Sequence, residues 1–133
     1  VAIARALAMT TYRSAAEFRE RFGGPGGQAS LAAYLEHQGE KFAERFDRES
    51  CLRLMDSIDR HAVNPARVRT PLTLMGFDTD ELCPPPLLRE LAAMAPGTQR
   101  LIEARSDFGH DAFLCERAIV ARAIREFLPG ETP

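Results

Sequence analysis

An excess of positive charge, long apolar runs and paired cysteines are all missing from these 133 residues, and each absence removes a class of function. The formal net charge is −2, whereas a nucleic-acid face needs clustered basic residues to neutralise phosphates. No nucleic acid is therefore expected as a partner. No apolar run approaches the length that crosses a bilayer, and the first residues lack the charged start, apolar core and cleavage site of a secretory leader. No membrane partner is expected, and a cytoplasmic location is the default. The three cysteines, Cys51, Cys83 and Cys115, are too few and too scattered for a disulfide framework or a zinc site of paired thiolates. A reducing compartment is expected, and no metal.

What remains is a chain of ordinary globular composition, long enough for one domain or one lobe of a larger one. Its first part reads as helices. From Val1 to about Met9, Ile3 and Leu7 fall on one face among helix-favouring alanines, and Arg5 reads on its own as a solvated residue of that amphipathic helix. A second helix spans Ala15 to Phe22 and ends at Gly23-Gly24-Pro25-Gly26-Gly27, a flexible loop without the Gly-Lys-Ser/Thr ending of a phosphate cradle. Ser30 is placed to cap a third helix whose stripe is Leu31, Leu35, Gln38 and Phe42. His37, in its middle, lacks the companions of a metal site. Asp47 caps a fourth helix with Cys51, Met55 and Ile58 aligned, and Asp56, Asp59, Arg60 and His61 read as a solvated end with intrahelical ion pairs.

At Asn64-Pro65 the pattern changes to alternating strands and helices, which divides the chain into a helical region, 1–62, and a strand-helix-strand-helix region, 63–133. Leu72 to Phe77 is a nearly continuous apolar run of the kind a parallel strand requires on both faces. Pro84-Pro85-Pro86 can start but not continue a helix, so Leu87, Leu88, Leu91 and Met94 form one that Pro96-Gly97 stops. Gln99 to Ala104 is the second strand. After Gly109-His110-Asp111 comes a last helix with Ile119, Val120, Ile124 and Phe127 as its buried stripe, stopped at Pro129-Gly130. Cys115 is expected to pack in its first turn. The class is α/β with parallel strands. Two such strands cannot stand alone, so the rest of the sheet is expected from outside these residues.

In open parallel sheets chemistry collects beyond the carboxyl ends of the strands. Asp80 and His110 both fall there. A histidine needs a carboxylate to keep one ring nitrogen protonated so that the other can take a proton from a hydroxyl. Asp80 can supply it, with Asp78 and Glu81 as competitors, and Gly109 allows the tight turn that brings the ring out. Cys115 is a weaker candidate nucleophile, and no Gly-x-Ser-x-Gly turn occurs in the chain. The order serine, acid, histidine would put a nucleophile upstream of Val1.

Four stretches in order carry a resemblance: Ala4-Arg5-Ala6-Leu7-Ala8-Met9-Thr10-Thr11-Tyr12-Arg13, Tyr34 to Phe42, Thr79-Asp80-Glu81-Leu82, and Phe108-Gly109-His110-Asp111-Ala112-Phe113-Leu114. They resemble successive motifs of the homoserine O-acyltransferases, which have the α/β-hydrolase fold. The resemblance implies the C-terminal part of such an enzyme, a helical lid followed by the last two strand-helix units of the core. It implies transfer of an acetyl or succinyl group from acyl-coenzyme A to the hydroxyl of homoserine in methionine biosynthesis; close relatives acylate serine. Asp80 and His110 become the triad acid and base, and Arg5 and Asp111 the groups that hold the amino-acid substrate. A homodimer through the lid helices is implied, with acyl-coenzyme A as co-substrate and no resident cofactor. The chain departs from the family in lacking the nucleophile and oxyanion-hole donors, and in a shorter region around the Gly23–Gly27 loop. A hydrolase of the same fold is the rival reading, and a helical dimerisation or scaffold module the non-enzymatic one.

Overall fold

A computed structural model describes residues 1–128; the expected stop at Pro129-Gly130 lies outside them. The chain forms two compact units, one of Val1–Thr11 with Ala15–Asn64, the other of Tyr12–Ser14 with the residues from Pro65 onward.

The first unit is built from α1 (Ala2–Tyr12, whose last residue belongs to the second unit), α2 (Ala15–Phe22), α3 (Gly27–Ala43) and α4 (Arg48–Asp59). The face of α1 differs from the expected one. Ile3 and Leu7 are exposed, while Met9 is buried and Arg5 half-buried. The cause is a close crossing: a Cβ added at Gly39 of α3 would lie 2.5 Å from the Ala2 carbonyl oxygen, so α1 turns its small residues to α3. The α3 stripe is half-buried as expected, with Phe22 and Tyr34 packing ring to ring at 5.6 Å. Ser30 does not cap α3. The helix begins at Gly27 behind Gly26, whose φ of 77° suits glycine, and the Ser30 hydroxyl donates back to the Gly26 carbonyl.

Asp47 does cap α4, accepting from the Ser50 amide at 2.9 Å and its hydroxyl at 2.7 Å. Ion pairs join Glu49 to Arg53 and Asp56 to Arg60 one turn apart. Of the aligned residues, Cys51 is half-buried but Met55 and Ile58 are exposed.

The second unit holds β1 (Leu72–Phe77), α5 (Pro85–Met94), β2 (Thr98–Ala104), the short α6 (Ala112–Cys115) and α7 (Arg117–Phe127). The strands are parallel, with Leu74 opposite Leu101, Gly76 opposite Glu103 and Phe77 opposite Ala104. Side chains alternate across a strand, and that alternation sorts the helices. On one face Leu88 of α5 sits over Gly76, and Arg89 forks onto Glu103 at 2.6 and 2.5 Å. On the other face Thr73, Met75 and Phe77 line a groove with Val120 and Ile124 of α7, and Arg100 pairs with Glu126. One helix thus covers each side, a three-layer arrangement.

The last helix is not continuous. It breaks at Glu116, which leaves helical geometry at φ −84° and ψ 54° as its carboxylate accepts from the Ser106 hydroxyl at 2.9 Å. Cys115, expected to pack, is exposed at the end of α6 because the break turns it outward. Ile119 and Val120 are half-buried, but Ile124 and Phe127 are exposed, since they line the open groove rather than a closed core. Among the described residues no helix is long and apolar enough to cross a membrane.

Candidate active site

The carboxyl ends of β1 and β2 are laced together by side chains that the strands deliver to adjacent loops. Asp78 accepts from the Ser106 amide at 3.0 Å. The Thr79 hydroxyl donates to the Ser106 carbonyl at 2.5 Å and accepts from the Gly109 amide at 3.1 Å. Asp78 is thereby engaged in bracing, and Glu81 is exposed. Asp80 is the acid that reaches the histidine: its Oδ2 lies 2.9 Å from Nδ1 of His110. Its Oδ1 accepts from the amides of Leu82 and Cys83, both at 2.9 Å, so the buried carboxylate is fixed at one end and presented at the other.

The imidazole is held by rings as well. Tyr12 stacks on it with centroids 5.7 Å apart, and Phe113 meets it edge-on at 5.9 Å. Gly109 has φ 63°, and a Cβ there would lie 2.8 Å from the Ser14 amide nitrogen and 2.9 Å from the Tyr12 carbonyl. Only glycine allows the segment Tyr12–Ser14 to seat this closely on the loop. Ser14 donates to the Asp107 carbonyl, and Arg13 pairs with Asp111, Nε to Oδ2, at 2.8 Å. As a carboxylate Asp80 can only accept hydrogen bonds, so the nitrogen facing it is the protonated one and Nε2 keeps its lone pair. The arrangement can take a proton from a hydroxyl brought to Nε2.

No family model matches the chain. Individual relatives do. The homoserine O-acetyltransferase of Clavibacter michiganensis is 34% identical over 155 aligned positions that take in 100% of this chain and 39% of that protein. Its counterpart in Mycobacterium sp. (strain KMS) is 36% identical over 146, covering 96% and 39%, and that of Nostoc punctiforme 35% over 143, covering 95% and 40%. The chain is similar to the C-terminal part of the homoserine O-acetyltransferases. It spans about two fifths of the length of these relatives. In structure it matches esterase E22 with a TM-score of 0.78 over 96% of this chain and 41% of that one, at 18% identity. Its fold is that of the C-terminal part of an α/β-hydrolase.

Against the acyltransferase motifs, the second unit brings together Asp80, His110 and Asp111. Arg5 lies in the helical unit, half-buried rather than solvated, its guanidinium 5.3 Å from the centre of the Phe42 ring. Tyr12, Arg13, Ser14 and Phe113 carry roles around His110 that residue-level reasoning missed. Tyr12, Arg13 and Phe113 stand inside the motifs, but neither periodicity nor spacing marks a segment 98 positions upstream as the seat of the loop. Cys83 stands beside the pair, and partial burial of its sulfur together with the Asp80 charge pushes its thiol up from the ordinary value, although the residue as a whole is exposed.

Proposed function

We propose that the full-length protein carrying this chain transfers an acetyl or succinyl group from acyl-coenzyme A to the hydroxyl of homoserine, within methionine biosynthesis in the cytoplasm. The observation that carries the reading is the Asp80–His110 pair at 2.9 Å, in a chain similar to homoserine O-acetyltransferases.

Asp80 and His110 then act as the acid and base of a triad whose serine is supplied elsewhere in the protein. In the first half, His110 Nε2 takes the serine proton, the serine oxygen bonds to the acyl carbon, and the carbon–sulfur bond breaks with the proton passing to the leaving thiolate. In the second, Nε2 takes the homoserine hydroxyl proton, the new ester forms, and the serine oxygen leaves with that proton. Arg5 suits the α-carboxylate through paired hydrogen bonds and Asp111 the α-ammonium. Arg13, bound to one Asp111 oxygen, would hold that carboxylate in position. The helical unit serves as a lid that excludes water from the acyl-enzyme and as the surface of a homodimer.

An esterase is the second reading, favoured by the structural likeness to esterase E22; it would use the same pair with water as acceptor. Coenzyme A release, measured with acetyl- or succinyl-coenzyme A against homoserine, serine and no acceptor, separates the two. Release that requires homoserine supports the transferase and names its donor. Equal release without any acceptor supports the hydrolase, and none under any condition removes the transferase.

A further inference from the structure

Cys83 plays no part in the transfer chemistry, yet it stands at the acid–base pair. One ligand atom each from Asp80, Cys83 and His110 lie within 4.8 Å of one another, the only such group of three among the described residues. We propose that these three residues bind a thiophilic divalent cation of the zinc class, and that its binding switches His110 off as a base.

Carboxylate oxygen, imidazole nitrogen and thiolate sulfur are the three donor types that zinc takes from proteins. Bonds of about 2.0–2.3 Å place the ligand atoms of a tetrahedral ion roughly 3.3–3.8 Å apart. With Oδ2 and Nδ1 as donors, that pair, now at 2.9 Å, has to open slightly, and the Cys83 sulfur has to move in towards it. Cys83 is exposed, so its single χ angle is free to do this. The outer shell exists already: Oδ1 of Asp80 is held by the Leu82 and Cys83 amides at 2.9 Å, which fixes the second carboxylate oxygen and the cysteine backbone relative to one another. His110 is part-exposed and Asp80 buried, so an ion enters from the Cys83 side and keeps a position for water.

The proton balance explains the effect. Binding removes the thiol proton to solvent. The metal takes the Nδ1 lone pair, and the ring proton that Nδ1 held is transferred through solvent to Nε2. One proton is released in all and no electron moves. With Nε2 protonated, the nitrogen that should accept a hydroxyl proton no longer can. The inhibitory half of the proposal rests on the base role proposed above; the binding half does not.

The test is a titration of the full-length protein with Co²⁺, whose thiolate complexes show a sulfur-to-metal charge-transfer band. One equivalent should bind with that band, and Zn²⁺ should displace it. In Cys83→Ser the band should vanish and affinity should fall by at least about tenfold, while Cys51→Ser and Cys115→Ser keep both. Absence of a thiolate band in the unaltered protein, or its survival in Cys83→Ser, overturns the site. In the coenzyme A release assay, Zn²⁺ should inhibit reversibly on chelation, and Cys83→Ser should tolerate at least about tenfold more; equal sensitivity overturns the switch. A protein without transferase activity would count against the proposed function alone, since the cobalt band still decides the site.

Discussion

Asp80→Asn is the sharpest perturbation, because the amide cannot serve every partner that the carboxylate serves. Oδ1 of Asp80 accepts two backbone amides at 2.9 Å and Oδ2 faces Nδ1 of His110 at the same distance. Asparagine has one acceptor oxygen. If that oxygen turned to the histidine, the Leu82 and Cys83 amides would face an NH2 group, and each part-buried donor left unpaired costs about 1–3 kcal/mol. The oxygen therefore stays with the backbone, and the NH2 points at the ring. Nδ1 must then accept, the ring proton moves to Nε2, and the base is lost while the side-chain shape is kept. General-base catalysis contributes about two to four orders of magnitude, so single-turnover coenzyme A release by the full-length variant should fall by that factor. The urea midpoint should move little, and nitrogen-15 NMR of the ring should show protonated Nε2. A variant within about tenfold of the parent rate, with Nδ1 still carrying the proton, would refute the reasoning.

Thr79→Val removes the hydroxyl that joins the Ser106 carbonyl to the Gly109 amide; leaving that amide unpaired should cost about 1–3 kcal/mol in urea unfolding, and Thr79→Ser should restore most of it. Gly109→Ala forces a side chain into φ 63° and against the backbone of Ser14 and Tyr12. The conformation alone costs about 1–2 kcal/mol and backbone atoms cannot swing aside, so a thermal midpoint equal to the parent's would contradict this loop geometry. For pH, hydrogen bonds from Ser50 hold the Asp47 carboxyl below its ordinary value, and Arg89 does the same for Glu103. A depressed acid contributes stability that is complete above its unfolded pKa and lost as pH falls through the folded one. Unfolding free energy should thus decline below about pH 4, with a shallower decline in Asp47→Ala and in Glu103→Gln; salt should weaken the second effect, an exposed ion pair. An unchanged slope in both variants would show that neither contact forms.

The strands were legible because a parallel strand is marked by local chemistry. Leu72 to Phe77 is an apolar run bounded by Pro71 and Asp78, and Pro84–Pro86 and Pro96-Gly97 bracket α5. The Asp80–His110 meeting could be read for a related reason: each residue stands just past a strand end, and parallel neighbours bring those ends together. Spacing favoured Asp80 over Asp78 and Glu81 as the acid facing the ring but did not show why. That choice depends on the turn that Asp80 closes onto the Leu82 and Cys83 amides, and on Asp78 being drawn to Ser106. The seating of Tyr12–Ser14 was also hidden, because positive φ at Gly109 makes room for a segment that no local pattern connects to it.

The apolar faces show a different limit. Periodicity says which side of a helix is built for burial; it does not say what lies against it. In α1 the apolar pair Ile3 and Leu7 is exposed because the crossing at Gly39 selects small side chains over large ones. In α7 the stripe points the expected way, and Ile119 and Val120 are half-buried, yet Ile124 and Phe127 stay 52% and 43% exposed beside Thr73, Met75 and Phe77. Two strands offer too narrow a surface to cover a helix of this length. The same shortage explains why no large side chain among the described residues is fully buried. The loops at the strand ends escape it, since their order comes from hydrogen bonds among Asp78, Thr79, Asp80, Ser106 and Gly109 rather than from a filled core. A site held in this way can keep its acid–base geometry where the surrounding core is thin, as the Asp80–His110 pair at 2.9 Å does.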